Sequence, residues 1–191
     1  RPAARTGGVM TLPPTYSAEL LARAAKIRLI GFDVDGTLTD GGLIYSSDNH
    51  ESKCFHVQDG LGLVLLRQAG IATALVSARH SPVTAARGVD LKIPHLHIGE
   101  RHKLARMRTI AAELGIGMDA VAFMGDDLPD LATLRDVGLA IVPADAHHWV
   151  QPAAHWVTPR RAGHGAARDA CDLLLYAQGR VDAILEHGEH P

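Results

Sequence analysis

Two aspartates stand two positions apart in the segment DVDGT at residues 33–37, directly after the apolar run IRLIGF. If that run is a strand, Asp33 and Asp35 lie on the same side of the backbone. Two carboxylates this close need a cation between them, and Asp126 with Asp127 offers further oxygen ligands. A site that has only oxygen ligands and few carboxylates suits Mg²⁺.

Two further polar residues follow other apolar runs and complete a set suited to one reaction. Ser77 offers a hydroxyl donor and Lys103 a positive charge, and both suit an anionic group. Two acids, a divalent metal, a lysine and a hydroxyl are the groups that phosphoryl transfer requires. The expected mechanism has Asp33 attack phosphorus to form an aspartyl phosphate. Asp35 protonates the leaving oxygen and then activates water.

Each of these residues also has an ordinary structural explanation. A single D-x-D motif is commonly a loop or a helix cap, and Ser77 or Lys103 alone would be interpreted as a surface residue. The site hypothesis therefore depends on all of them falling at the ends of successive strands, where an open parallel sheet binds its ligand.

The elements that must position these residues alternate along the chain. Buried strands are predicted at residues 27–32, 71–76, 95–98, 120–124 and 138–142. Helices are predicted at residues 17–25, 61–68, 82–87, 102–114, 128–135, 147–149 and 166–178. Strands that alternate with helices predict an α/β fold of Rossmann-like type, in which a parallel sheet carries helices on both faces.

One segment interrupts this alternation. Extended runs at residues 42–46 and 51–57, joined by the polar turn SDNH, predict a β-hairpin inserted after the first strand. The 191 residues suit one domain without a cap domain. We expect a flexible N-terminal tail at 1–15 and a single domain at 16–191. Within that domain the hairpin insert lies at about 42–57 and a C-terminal tail and helix at about 159–191.

Composition excludes several classes of partner. The net charge is −2 and aromatic residues make up 4%, so neither a basic surface nor a stacking surface for nucleic acid is expected. No apolar run approaches the length of a membrane span. Cys54 and Cys171 are too few for a disulfide framework, and we expect reduced thiols in a cytoplasmic protein.

The motifs resemble those of the haloacid dehalogenase superfamily of phosphatases. The carriers are DVDGTLTD from Asp33, VSAR from Val76, Lys103 and GDDLPD from Gly125. More narrowly, the chain resembles the 3-deoxy-D-manno-octulosonate 8-phosphate (KDO 8-phosphate) phosphatase family, because it has the hairpin and the tail segment GHGAARDACDLLL from Gly163. The resemblance implies hydrolysis of this sugar-acid phosphate in lipopolysaccharide precursor synthesis.

The resemblance also implies roles for individual residues. It implies three ligands for Mg²⁺, namely the Asp33 carboxylate, the Asp35 main-chain carbonyl and Asp126. It implies phosphate contacts from Ser77 and Lys103. Asp127 and Asp130 would lie behind these groups and orient waters or the lysine. Residues implied to contact the sugar acid are Phe55, His56, Val57, Gln58, Asp59, Arg79 and Arg87.

The chain departs from the family pattern at a few positions, and these leave the substrate open. Gln58 stands where the family often has a basic residue, Ala78 replaces a usual glycine, and Ala162 and His164 stand where glycine and arginine are common. A nine-carbon sugar-acid 9-phosphate of the neuraminate type is the alternative substrate. From other classes, the alternatives are a receiver-like phosphoacceptor domain and an inactive phosphatase-like domain used for assembly.

The absence of a cap domain bears on assembly. A site at a bare sheet edge would stay wet and select substrates poorly. The resemblance implies a homotetramer in which hairpins pair and a neighbouring subunit covers each site, with the tail at 161–168 contributing.

Overall fold

The computed structural model describes residues 16–186, and the expected flexible tail at 1–15 lies outside them. The strands are β1 (Leu29–Phe32), β2 (Ile44–Tyr45), β3 (Glu51–Ser52), β4 (Ala72–Ser77), β5 (His95–Ile98), β6 (Val121–Met124), β7 (Leu139–Val142) and β8 (Trp156–Val157). The helices are α1 (Ala18–Ala24), α2 (Val57–Gln68), α3 (Pro82–Asp90), α4 (Lys103–Glu113), α5 (Leu131–Leu134), α6 (Ala166–Ala177) and α7 (Val181–Glu186). None of these helices is both long and apolar enough to cross a membrane.

Six strands form one parallel sheet in the order β5-β4-β1-β6-β7-β8. The predicted α/β fold with a parallel sheet is therefore confirmed. β1 lies at the centre, with Phe32 in register with Leu75 of β4 and with Met124 of β6. The carboxyl ends of these three strands therefore meet at one edge of the sheet, where the chain emerges at Asp33 and Ser77.

The core has two layers, one on each face of the sheet. Successive strand residues point to opposite faces, so Ile30 and Phe32 pack with α1, α2 and α6, whereas Leu29 packs with α4 and α5. Helix α4 packs closely against the centre of the sheet. Gly31 permits this contact because it has no side chain, and a Cβ at that position would lie 2.6 Å from the Met107 sulfur. Four residues before Met107, Lys103 is thereby fixed over the end of β1.

The hairpin is present but shorter than predicted. Its strands cover only residues 44–45 and 51–52, and the predicted extended run to 57 is wrong at its end because helix α2 begins at Val57. The buried face of α2 follows helical spacing through Asp59, Gly60, Leu63 and Leu66. Asp59 and Gly60 occupy the first turn of that face. Because neither residue is hydrophobic, the hydrophobic pattern predicts that the helix begins only at residue 61.

Three smaller differences concern helices. Residues 147–149 form a turn rather than the predicted short helix. The Val150 amide donates to the His147 carbonyl, and this single i to i+3 hydrogen bond closes one turn without continuing as a helix. The predicted helix at 128–135 begins as a 3-10 turn at Leu128–Asp130, which Asp127 caps, and it is α-helical only at 131–134. Helix α7 was not predicted.

Candidate active site

A buried lysine joins two carboxylates at the end of β1. Lys103, the first residue of α4, is 3% exposed. Its Nζ lies 2.8 Å from Asp33 Oδ1 and 2.6 Å from Asp130 Oδ1. Asp33 is the first residue after β1, and its amide donates to the Met124 carbonyl of β6. The predicted nucleophile and the predicted phosphate-binding lysine are therefore in direct contact.

Asp126 completes the acidic cluster from the end of β6. Its Oδ1 accepts a hydrogen bond of 3.2 Å from the Thr37 hydroxyl. Asp130 Oδ2 accepts from the amides of Asp126 and Asp127 at 3.0 and 3.4 Å, so it organises the loop that carries them. The Asp127 side chain accepts from the Leu128 amide at 2.7 Å and caps the following turn.

The carboxylate set suits a divalent metal. One oxygen each from Asp33, Asp126 and Asp130 lies within 4.8 Å of the others. Asp130 already binds Lys103 and two amides, so the oxygens of Asp33 and Asp126 are the ones available to a cation. Gly36 keeps this space open: its φ is 86°, and a Cβ there would lie 2.2 Å from Asp126 Oδ2. An all-oxygen pocket of this kind fits Mg²⁺.

The cluster carries more negative charge than its lysine neutralises. Burial and, to a lesser extent, the nearby Asp130 raise the pKa of Asp33 to about 7 against the opposing effect of Lys103. Burial, together with Asp33 and Asp130, likewise raises the pKa of Asp126 to about 7. Burial disfavours the charged form of Lys103, but its two carboxylate partners outweigh burial and raise its pKa. The site therefore favours an additional cation.

Ser77 and Arg79 follow β4 at the same sheet edge. Ser77 is the last residue of the strand and is 1% exposed, and its Oγ accepts from the Arg79 amide at 3.3 Å. The Arg79 guanidinium reaches the hairpin, where its Nη2 donates to Glu51 Oε1 at 2.7 Å and to the Tyr45 hydroxyl at 2.6 Å. Its Nε lies 3.7 Å from Asp35 Oδ2.

Asp35 contacts a residue that no motif of the sequence indicates. Lys53, which follows β3, donates a hydrogen bond from Nζ to Asp35 Oδ1. Lys53 and Thr37 are thus site residues that motif spacing missed. The available signal for Lys53 was its spacing from Glu51, since residues two apart share a side of an extended strand. For Thr37 it was its place within the DVDGT segment.

The expected sugar-contacting stretch at 55–59 contacts helix α3 and the C-terminal part of the chain. The Arg87 guanidinium sits 5.7 Å from the centre of the Phe55 ring. Asp59 is buried and accepts from the Arg168 amide at 2.8 Å, whereas Gln58 accepts from Arg160 Nη1 at 2.9 Å. The side chain of His56 contributes no cap to α2, and Val57 is exposed. Within residues 16–186, no hydrogen bond or ion pair joins this stretch to the acidic cluster of Asp33, Asp126 and Asp130.

Comparison with known proteins identifies close relatives. The family described as haloacid dehalogenase-like hydrolase matches residues 93–168. The 3-deoxy-D-manno-octulosonate 8-phosphate phosphatase KdsC of Escherichia coli K12 is 41% identical over 167 residues, which cover 87% of this chain and 88% of the relative.

Solved structures agree with this relationship. A hypothetical protein of Xanthomonas campestris superposes with a TM-score of 0.89 at 48% identity, over 92% of this chain and 96% of that one. The KDO 8-phosphate phosphatase of Moraxella catarrhalis, solved with magnesium, phosphate and KDO, superposes with a TM-score of 0.87 at 37% identity, over 90% and 99%. By this similarity along most of its length, the chain belongs to the KDO 8-phosphate phosphatase family of the haloacid dehalogenase superfamily.

Proposed function

We propose that the protein is a Mg²⁺-dependent phosphomonoesterase that hydrolyses KDO 8-phosphate to KDO and inorganic phosphate, a step in lipopolysaccharide precursor synthesis. The observation that carries the proposal is the pairing of Asp33 with the buried Lys103 beside Asp126, in a chain 41% identical to the KDO 8-phosphate phosphatase KdsC of Escherichia coli K12. The proposed steps divide between the two aspartates that open the DVDGT segment.

In the first step Asp33 attacks phosphorus. A bond forms between an Asp33 oxygen and phosphorus, and the bond from phosphorus to the sugar oxygen breaks. The leaving oxygen takes a proton from Asp35. Asp35, now a carboxylate, then removes a proton from a water that attacks phosphorus, which releases phosphate and restores Asp33.

The remaining residues hold the phosphoryl group. The Lys103 ammonium and the Ser77 hydroxyl would bind its oxygens, and Asp127 and Asp130 would fix the loop and the lysine. Mg²⁺, held by the carboxylates of Asp33 and Asp126 and the main-chain carbonyl of Asp35, would supply the positive charge that lets an anionic substrate approach carboxylates.

For the sugar acid, guanidinium groups are the natural partners of a carboxylate. Arg79, which reaches Asp35, and Arg87, which lies over Phe55, are the residues we assign to it. The rest of the 55–59 stretch (His56, Val57, Gln58 and Asp59) would line the same region. Asp59 differs from the others because it is buried, so it would support this stretch from the protein interior.

We also infer a homotetramer in the cytoplasm. The hairpin exposes three large apolar side chains, Leu43 at 50%, Ile44 at 58% and Tyr45 at 56%, which supports pairing with another copy over a site that has no cap. Both cysteines are free thiols, as suits a reducing compartment.

The decisive experiment compares substrates side by side. We expect purified protein with Mg²⁺ to hydrolyse KDO 8-phosphate in preference to a neuraminate-type 9-phosphate, and D33N to lose at least about 10³-fold in kcat. A preference for the nine-carbon compound would overturn the substrate assignment. A stable phosphoprotein without turnover would favour a receiver-like domain, and unchanged turnover in D33N would favour an assembly role.

A further inference from the structure

The hairpin is fixed against the active site of its own subunit by the pair of residues next to its turn, Tyr45 and Glu51. Glu51 accepts from Arg79 Nη2 at 2.7 Å on one oxygen and from the Ser81 hydroxyl at 2.5 Å on the other. The Tyr45 hydroxyl receives a second bond from Arg79. Both strands of the hairpin are therefore attached to the segment that follows β4.

The contacts of Tyr45 and Glu51 with the segment after β4 place Lys53 next to Asp35. The Lys53 side chain is 1% exposed, and its Nζ donates to Asp35 Oδ1 and lies 3.9 Å from Glu51 Oε1. A buried ammonium is costly unless it is paired, so the contact with Asp35 is a built feature of the fold rather than a surface ion pair. Lys53 lies outside the residues that the motifs assign to the reaction.

The two oxygens of Asp35 have different surroundings. Oδ1 is engaged by Lys53, whereas Oδ2 is buried and has no hydrogen-bond partner. Arg79 Nε lies 3.7 Å from Oδ2, beyond hydrogen-bond distance. The contact with Lys53 therefore fixes the rotation of the carboxyl group and leaves one defined oxygen without a partner.

We propose that Lys53 is the positioning residue of the proton donor: it binds Asp35 Oδ1 so that Oδ2 is left to deliver the proton to the leaving oxygen. The inference rests on the proposed phosphatase function. In the step concerned, the O–H bond at Asp35 Oδ2 breaks and its proton joins the sugar oxygen. The electron pair of the broken phosphorus–oxygen bond stays on that sugar oxygen. The carboxylate left behind is paired with the Lys53 ammonium.

A leaving-group comparison tests this role. The sugar alkoxide of KDO 8-phosphate needs a proton to leave, whereas the p-nitrophenolate of p-nitrophenyl phosphate leaves without one. The water attack that follows is common to both substrates, so the rate compared is that of leaving-group release in a single turnover. We expect K53M to lose about 30-fold or more in this rate on KDO 8-phosphate and less than about 3-fold on p-nitrophenyl phosphate, with KM for the sugar phosphate nearly unchanged. We expect K53R to recover most of the loss.

Controls separate positioning from folding and from substrate binding. Both substrates are measured on one preparation, so the ratio of the two rates does not depend on the fraction of folded enzyme. K26M removes an exposed lysine from the loop before β1 and should leave both rates unchanged. E51Q, which weakens the attachment of the hairpin but keeps Lys53, should shift the ratio in the same direction by less.

Two results would overturn the inference. Equal losses on both substrates in K53M would mean that Lys53 only stabilises the fold, and a large rise in KM at unchanged kcat would make it a substrate ligand. If the unmodified protein hydrolysed neither compound, the proposed function itself would fail, which is a separate outcome.

Discussion

At the scale of single residues, the active site is organised around an excess of negative charge. One oxygen from each of three carboxylates, those of Asp33, Asp126 and Asp130, lies within 4.8 Å of the others, and Lys103 binds the first and the last. Burial makes the charged forms expensive, which raises the pKa of Asp33 and of Asp126 to about 7. Catalysis needs Asp33 ionised as a nucleophile, so the cation that neutralises the pair is also what makes the nucleophile available at neutral pH.

This charge predicts how the stability of the metal-free protein depends on pH. The pKa of Asp33 is about 7 in the folded protein against an ordinary value of 3.8, so the folded state holds a proton that the unfolded chain has released. Asp126 behaves in the same way. The contribution of these two carboxyl groups to the free energy of unfolding is therefore greatest below about pH 4. That contribution is lost as the pH rises through about 7.

Mg²⁺ should reverse that loss. At pH 7.5, Mg²⁺ at about 100 times its Kd should raise Tm by about 5–10 °C, and at pH 5.5 by clearly less, because protonated carboxyl groups bind metal poorly. Thermal unfolding with EDTA or with Mg²⁺ at the two pH values measures this, and D33N should lose most of the gain. An equal gain at both pH values would contradict the assignment of the ligands.

At the scale of secondary structure elements, the start of α6 depends on a residue from α2. The residue before α6 is Gly165, with φ of 101° and no side chain to cap the helix. Asp59 Oδ1 supplies the missing acceptor from the first turn of α2 to the Arg168 amide. Burial raises the pKa of Asp59 against the opposing effect of that hydrogen bond. Asp59 thus joins the stretch at 55–59 to the tail that precedes α6.

Removing this cap should cost stability. We expect D59A to lower the free energy of unfolding by about 1–2 kcal/mol, because the Arg168 amide is left without its acceptor. D59N keeps an oxygen at the same place and should lose less. Chemical denaturation of the two variants beside the unmodified protein gives the comparison. Wild-type stability in D59A would show that water replaces the carboxylate at no cost.

At the scale of the whole molecule, the hairpin has two different faces. The face formed by Glu51 and Lys53 is attached to its own active site, whereas Leu43 and Ile44 are about half exposed. An apolar surface next to an active site that no cap domain covers is suited to contact with a second copy of the chain. The same short insertion would then organise the proton donor within one subunit and the enclosure between subunits.

A charge on the outer face should disrupt the assembly. We expect I44E to convert a particle of about four chains of 20.4 kDa into smaller species in light scattering coupled to size-exclusion chromatography. L114E, which places the same charge at the far end of α4 on the opposite edge of the sheet, is the control and should leave the mass unchanged. A monomeric unmodified protein with full activity would contradict the tetramer.

The sequence by itself determined the parts of this protein that are written in local patterns. The DVDGT and GDDLPD segments, Ser77 and Lys103 each stand at the end of an apolar run or the start of a helical one. Strand ends in a parallel sheet meet at one edge, so local spacing was enough to predict the fold class and to group Asp33, Lys103 and Asp126.

Only the tertiary structure decided the contacts between residues that are distant along the chain. Lys53 binds Asp35 across 18 positions, and the Arg168 amide binds Asp59 across 109. No periodicity records such pairs, because they arise where helices and the hairpin pack against the sheet. The physical reason is that spacing along the chain sets which face a side chain occupies, whereas packing sets which partner it meets there.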